Sequence, residues 1–283
     1  MRTFVSAAAT VLAVLLAAVA VPAIWLDRNI AQEQGFVKLA GPLGANPEFQ
    51  QQLATAAVGT IDTSAVPGFL NGLVQPVLED AAASLTTLPG YPAAWEEALR
   101  RSHRLSFATQ GTDDGGAASA SSVTLDVAPL VALGAEEISR ATRLPLDPPH
   151  QTLINVGQPE HKEWTERLAT YAPAGYLLAG GSAVAMLLAL VAARRRFAVL
   201  AGAGVGALLL AATWTLGAGI ASAAAVSADS GNEVANMFRD EFVAASGADF
   251  QAWTVAAAVT GGALLVLGLV PGFTTRKRAR ATR

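Results

Sequence analysis

Four long uncharged stretches constrain the fold of this 283-residue chain more than any other feature. They cover residues 3–26, 168–193, 197–228 and 250–275. Each is longer than the roughly 20 apolar residues that a helix needs to cross a hydrocarbon core of about 30 Å. The mean hydropathy of +0.41 also argues against a soluble protein. The sequence therefore predicts a mainly α integral membrane protein.

The four stretches divide the chain into an anchor, an inserted domain, a bundle and a tail. The inserted domain is expected to be mostly helical with a small two-stranded β element, and it lies between spans one and two of a four-helix transmembrane bundle. The predicted parts are an N-terminal anchor at 1–26, an extracytoplasmic domain at 27–167, a three-span segment at 168–275 with spans at about 168–193, 197–222 and 250–273, and a basic cytoplasmic tail at 276–283.

The charges are distributed asymmetrically between the segments that separate the spans. With the N-terminus inside, the cytoplasmic segments hold nine basic residues and no acid. The segment 27–167 holds 9 basic and 17 acidic residues, and 229–249 holds 1 and 5. Lys and Arg are retained on the cytoplasmic side during insertion, so we expect a multi-pass plasma-membrane protein with both termini in the cytoplasm and 27–167 outside. The aromatic residues that flank or end the spans would then lie toward the outer leaflet, namely Trp25, Tyr171, Tyr176, Trp214 and Trp253.

The first span has two interpretations. The small residues around Ala18 and Ala20 resemble a signal-peptidase site. The apolar run is nevertheless far longer than the 7 to 15 residues of a signal peptide, which favours an uncleaved anchor. Its helix is expected to continue past Leu26 until Gly35, the first residue that would interrupt it.

Local patterns predict the elements of the inserted domain. Asn46 before Pro47 and Glu48 is typical of a helix start, with a helix over 47–58. Further helices are predicted at 66–88, kinked at Pro76, at 92–107 and at 128–143, followed by one from 160 to 170 that continues into the second span with a bend at Pro173. Strands are predicted at 123–127 and 150–156, either flanking a βαβ-like crossover or forming a hairpin sheet. A flexible loop is expected at 111–122.

Several of these features resemble a family of actinobacterial four-span integral membrane proteins of uncharacterised function. The matching features are the anchor ending in Trp25-Leu26, the helix start Asn46-Pro47-Glu48-Phe49, the strand that runs into Pro129, and three closing spans with a short basic inner loop. The resemblance implies an exported helical domain on a four-span bundle. It implies no substrate and no catalytic residue.

No group of residues indicates catalysis, a cofactor or a metal. The absence of cysteine excludes disulfides, thiolate catalysis and cysteine-ligated metal sites. His150 and His161 lie near Asp147, Glu160 and Glu163, but their spacing fits a solvated helix start better than zinc ligation. The loop 113–116 lacks the alternating ligands of a calcium loop. Three acidic doublets could in principle form a catalytic carboxylate pair, yet exposed helix faces explain them: Glu79-Asp80, Glu96-Glu97 and Glu136-Glu137.

A basic cluster at Arg100, Arg101, His103 and Arg104 has two interpretations. It could bind an anionic envelope polymer, because guanidinium groups match phosphate and carboxylate geometry. It could instead form ion pairs, since Glu96 stands four residues before Arg100 and Glu97 stands four residues before Arg101. The second interpretation is favoured.

The spans themselves contain no Asp, Glu, Lys, Arg or His, which argues against secondary transport and proton relay. The spacings Gly202-x-x-x-Gly206 and Gly268-x-x-x-Gly272 allow close helix contact, within one chain or between copies.

The leading functional hypothesis is a non-enzymatic envelope protein. Its exported domain would contact a partner protein, a lipid or a wall component, while the spans anchor it. Alternatives are a permease-like subunit of a transport complex and a membrane-anchored hydrolase that uses outer-domain carboxylates. The expected partners are the lipid bilayer, an envelope protein or a second copy, and no nucleic acid.

Overall fold

The computed structural model describes residues 2–59, 80, 83–107, 124–143, 147–155, 167, 170–228 and 231–281, and it is mainly helical. The α-helices whose bounds lie in these ranges, numbered in chain order, are α1 Arg2–Leu26, α2 Glu33–Ala40, α3 Pro47–Gly59, α4 Tyr91–Phe107, α5 Ala128–Thr142, α6 Ala174–Ala192, α7 Arg196–Val226 and α8 Glu233–Ala281. Two short strands are β1 Thr124–Asp126 and β2 Leu153–Asn155. A π-helical turn, Asp27–Ala31, follows α1, and a 3₁₀ helix, Gly41–Ala45, follows α2.

Four of the helices are long and apolar enough to cross a membrane, as the sequence predicts. The candidate spans are Arg2–Ala31, Ala174–Ala192, Arg196–Val226 and Glu233–Val270.

The residue contacts divide the chain into two compact units. We call the first the bundle (Met1–Asp27, Thr170–Ala224 and Ser246–Arg283) and the second the polar domain (Arg28–Ala169 and Ala225–Ala245).

Within the bundle, α1 and α6 pack antiparallel and are joined by hydroxyl groups. Ser6 near the start of α1 donates a hydrogen bond to the carbonyl oxygen of Ala189 near the end of α6, at 3.0 Å. Farther along, Ser182 of α6 donates to the carbonyl oxygen of Ala13 at 2.8 Å. Because lipid offers no partner for a hydroxyl group, these bonds stabilise the helix pair.

Glycines bring α7 and α8 into backbone contact. A Cβ atom on Gly204 would lie 2.6 Å from the carbonyl oxygen of Gly261, and one on Gly268 would overlap the backbone of Ala201. Gly268 therefore packs within the chain, which is one of the two possibilities that its spacing leaves open. Gly204 and Gly261 lie outside the spacings noticed in the sequence.

The polar domain has its own hydrophobic core, built from both of its segments. Phe49 of α3 and Trp95 of α4 lie edge to face at 5.4 Å, and both contact Phe238 of α8, at 6.2 and 6.3 Å between ring centroids. Val234 and Ala235 of α8 are buried in the same cluster. The sequence-based division assigned all of 168–275 to the three-span segment, whereas these contacts place Ala225–Ala245 with the polar domain.

The two strands pair antiparallel, with Leu125 opposite Ile154. The βαβ-like alternative is therefore wrong, because a crossover of that kind joins parallel strands. Helix α5 does connect the strands, and the burial of Leu125 and Ile154 in the core explains how so small a sheet is stabilised.

The predicted helix start at Asn46 is confirmed, whereas the predicted helix interruption at Gly35 is wrong. The Asn46 side chain accepts hydrogen bonds from the backbone N–H groups of Glu48 (3.0 Å) and Phe49 (3.4 Å), as a capping residue does. The helix that was expected to continue from Leu26 to Gly35 ends at Ala31 instead, because the backbone of Gln32 is extended (φ −86°, ψ 127°).

Gly35 lies inside α2, where a Cβ would overlap the carbonyl oxygen of Arg28, so this glycine permits close packing against the π-helical turn.

The second span is shorter than the sequence indicates. Ala172 and Pro173 form a turn, and α6 begins only at Ala174, because a proline removes the backbone donor that an uninterrupted helix would need. The predicted helix at 66–88 lies mostly outside the described residues, as do the loop at 111–122 and most of the helix at 160–170.

Candidate functional site

The basic cluster on α4 is tied to carboxylates. Arg100 pairs with Glu96 at 2.8 Å, and Arg101 pairs with Glu97 at 3.2 Å, which confirms both predicted i,i+4 pairs. Arg104 lies 3.4 Å from Glu97 and 3.3 Å from Glu33 of α2. All three arginine side chains are 39 to 54% exposed, so each pair contributes on the order of 0.2–1 kcal/mol. The pair of Arg104 with Glu33 links α4 to α2, whereas the pairs with Glu96 and Glu97 lie within α4.

Glu97 has the electrostatics of an ion-pair residue rather than of a general acid. Partial burial acts to raise its pKa, but the hydrogen bond from Arg101 and the charges of Arg104, Arg101 and Arg100 together lower it. A carboxylic acid that donates a proton near neutral pH needs the opposite shift. Glu97 is therefore ionised and occupied by its arginine partners.

His103 lies in an aromatic pocket of the polar domain. Its Nε2 lies 3.0 Å from the carbonyl oxygen of Ile30, so this nitrogen carries the proton and donates. The ring stacks on Phe107 at 4.4 Å and contacts Phe36 at 5.4 Å. Burial lowers the pKa of His103, against the opposing effects of the Ile30 carbonyl and the Glu33 charge. His103 is thus a neutral packing residue that joins α4 to the turn after α1.

Ser102, His103 and Asp126 bring the residue types of a nucleophilic triad into one buried region. Their hydrogen bonds do not form a relay. The Ser102 hydroxyl donates to the carbonyl oxygen of Ala98 (2.6 Å) and accepts from the backbone N–H of Asp126 (2.8 Å). The Asp126 carboxylate accepts from the backbone N–H groups of Ala128 and Thr152, both at 3.0 Å. Asp126 therefore joins the start of α5 to the approach to β2, and the histidine is bonded elsewhere.

Tyr91 is a third ionisable group, among the described residues of the polar domain, whose pKa is shifted. Its phenol is buried in the core, and burial raises its pKa to about 12. The hydroxyl has no hydrogen-bond partner within the described part of the chain. A phenol in this environment stays protonated at neutral pH and does not act as a base.

The remaining candidates from the sequence do not come together. Glu136 and Glu137 both pair with Arg140 on the exposed face of α5. Asp80, Asp147 and His150 are exposed. Glu79, Glu160, His161, Glu163 and the loop 113–116 lie outside the described residues. Over the ranges that the structure describes, no three His, Asp or Glu side chains are placed to share a metal ion.

Sequence reasoning missed two polar pairs at the ends of spans. Trp25 donates from its indole nitrogen to the Asp249 carboxylate at 2.6 Å and lies edge-on to Phe250. Tyr176 donates from its hydroxyl to the buried Asp27 carboxylate at 3.1 Å. Both acids directly border an uncharged stretch and lie within two residues of an aromatic side chain, Trp25 near Asp27 and Phe250 next to Asp249, and that proximity was the available signal. Both pairs fix the C-terminal end of α1 within the bundle.

Comparison with protein-family models, with curated proteins and with solved structures found no match. The resemblance to actinobacterial four-span proteins therefore rests on the sequence features alone.

Proposed function

We propose that this chain is a non-enzymatic integral membrane protein of the cell envelope, whose polar domain is displayed outside the cytoplasm and binds a partner protein, a lipid or a wall component. The observation that carries the proposal is the core of the polar domain, which combines Phe49 and Trp95 with Phe238. Two candidate spans, α6 and α7, separate these residues along the chain. Segments that share one core lie on one side of the membrane, so α6 and α7 cross it together or not at all, and their length and apolar composition favour two crossings.

The charge distribution supports an extracytoplasmic position for this domain. The sequence segments 27–167 and 229–249 have net charges of −8 and −4, whereas the remaining segments carry nine basic residues. Positive charge is retained in the cytoplasm, so the acidic segments are exported. The shared core adds an independent reason why the two acidic segments go to the same side.

Binding fits the described polar domain better than catalysis. The glutamates of α4 and α5 are occupied by arginines on exposed faces, and Asp126 is bonded to backbone N–H groups. A catalytic carboxylate pair needs two acids that face a common space. The described acids face solvent or the interior of the fold, which supports a surface that recognises rather than reacts.

Single-cysteine labelling tests the side of the membrane, since the chain contains no cysteine of its own. A cysteine is introduced separately at each of three exposed positions. Glu136→Cys and Glu233→Cys lie in the two segments of the polar domain, and Arg195→Cys lies between α6 and α7. An impermeant maleimide added to intact cells should label the first two, and the third only after permeabilisation. Labelling of Glu136→Cys without Glu233→Cys would separate the two segments and refute the proposal.

Binding is tested on the same variants with a photoreactive maleimide. A partner that docks on the polar domain should give an adduct of defined mass from Glu136→Cys or from a second exposed position, Leu153→Cys. The adduct should be lost when Phe238→Ala disrupts the core. Adducts that persist in the disrupted variant would show nonspecific capture, and their presence would contradict a folded binding surface.

A further inference from the structure

A groove lies between α1 and α7 in the bundle. One wall is the stripe of α1 from Thr3 to Leu15, and the other is the stripe of α7 from Ala198 to Leu209. The groove has a volume of about 760 Å³, within the range of about 300–1,000 Å³ that is usual for small-molecule sites. It narrows where a Cβ on Gly206 would come within 2.7 Å of Val14.

The length of the groove matches one leaflet of a bilayer. At 1.5 Å per residue, its two walls extend about 18 Å along α1 and about 16 Å along α7. Half of a hydrocarbon core of about 30 Å is about 15 Å. Beyond the groove the two helices are joined again, because the indole of Trp214 donates to the carbonyl oxygen of Ala18 at 3.1 Å. The groove therefore begins at one membrane surface and ends near the midplane.

The inner part of the groove, away from the arginines, presents apolar surface to an occupant. Its two buried hydroxyl groups are already bonded, since Thr10 donates to the carbonyl oxygen of Ser6 and Ser6 donates to Ala189. The methyl group of Thr10 instead faces Gly202, at 3.9 Å from an added Cβ. An occupant of this part gains no hydrogen bond, which suits an acyl chain.

The open end of the groove is cationic. Arg194 and Arg195, in the connection between α6 and α7, both line it and are both exposed. Neither forms an ion pair with a carboxylate of the described residues. Two guanidinium groups at the end of an apolar groove complement a phosphodiester attached to a hydrocarbon chain.

We propose that this groove binds one anionic phospholipid, with its phosphate between Arg194 and Arg195 and one acyl chain along the α1–α7 walls. The site lies entirely within the bundle and does not depend on what the polar domain binds. It also differs from general attraction to a charged surface, because it requires the groove as well as the charges.

Native mass spectrometry of the delipidated full-length protein in neutral detergent, titrated with phosphatidylglycerol, tests the proposal. Wild type should bind one molecule saturably and more tightly than phosphatidylcholine. Gly202→Leu should abolish the binding by filling the groove, because a Cβ at this position is tolerated but the larger side chain occupies the space. Gly217→Leu is the matched control, since Gly217 lies on the same helix, is exposed and has no neighbour within 4 Å of an added Cβ.

The headgroup contacts are tested by charge removal. Arg194→Gln and Arg195→Gln should each weaken binding about fivefold, the effect of one interfacial charge. Arg196→Gln removes the same charge from an adjacent residue that does not line the groove, and it should change the affinity less than twofold.

Three results would overturn the proposal. Equal affinity for phosphatidylcholine and phosphatidylglycerol would remove the role of the arginines, and displacement by millimolar inorganic phosphate would indicate an ion site without an acyl chain. A lipid-free dimer that Gly202→Leu dissociates would show that a second copy occupies the groove. Unchanged thermal stability of Gly202→Leu confirms that lost binding is not caused by misfolding.

Discussion

Replacement of Phe238 by alanine tests whether the segment after α7 completes the core of the polar domain. The Phe238 side chain is 7% exposed, and its ring contacts Phe49, Trp95 and Phe242 at 5.8 to 6.3 Å. Truncation of a buried phenylalanine costs about 3–5 kcal/mol through lost burial and the cavity that remains. Since single domains are stable by about 5–15 kcal/mol, Phe238→Ala should remove a large part of the free energy of unfolding.

The opening of the domain can be measured in the membrane with a buried cysteine. Ala98→Cys places a unique thiol in the core, where position 98 is 0% exposed. Its reaction with a maleimide then requires opening of the domain, and the rate follows the open fraction when closing is fast. Phe238→Ala in this background should raise the rate between about 100-fold and about 5,000-fold.

Phe197→Ala in the same background is the control. Phe197 is 51% exposed at the start of α7, so its truncation should leave the rate of labelling unchanged. An unchanged rate in Phe238→Ala itself would refute the shared core, and with it the inference that α6 and α7 both cross the membrane.

Three further predictions concern Gly44, His103 and Trp25. Gly44→Ala should destabilise the polar domain by about 1–3 kcal/mol in chemical denaturation, because a Cβ would overlap the buried indole of Trp95, whereas Gly41→Ala, with open space, should not. His103 should make the domain less stable as pH falls below about 6.5, because burial lowers its folded pKa and the unfolded chain binds the proton more readily. His103→Gln should flatten that dependence between pH 7.5 and 5.5, and an unchanged profile would contradict the assignment. Trp25→Phe removes a hydrogen bond to a carboxylate and should lower the melting temperature of the detergent-purified protein, by an amount that corresponds to about 1.5–3 kcal/mol.

The sequence predicts those features that depend on neighbouring residues. The cap at Asn46, the i,i+4 pairs of Glu96 and Glu97, and the four apolar helices all follow from residues within a few positions of one another. Pro173 shows the limit of this reasoning, because a proline near a helix start fits either a bend or a new beginning. The structure shows the new beginning.

The features that the sequence does not reveal depend on contacts between distant segments. Val234, Phe238 and Phe242 are spaced as one face of a helix, but the pattern does not show which apolar surface covers that face. The groove beside Gly202 likewise depends on how far α1 and α7 diverge, which the sequence of each helix does not record. Gly204 and Gly261 meet because two helices cross there, and neither belongs to the spacings Gly202-x-x-x-Gly206 and Gly268-x-x-x-Gly272.

The late position of Phe238 in the chain has a consequence for biosynthesis. The ribosome completes residue 169 well before it reaches residue 245, and at about 5–20 residues per second the interval between them is about 4–15 s. During that interval Phe49 and Trp95 lack their contact with Phe238, so part of the core of the newly made domain stays exposed to solvent. The core of the polar domain is completed only after the segment Ala225–Ala245 has been synthesised. The order of synthesis therefore determines how long the nascent chain exposes apolar surface that could aggregate.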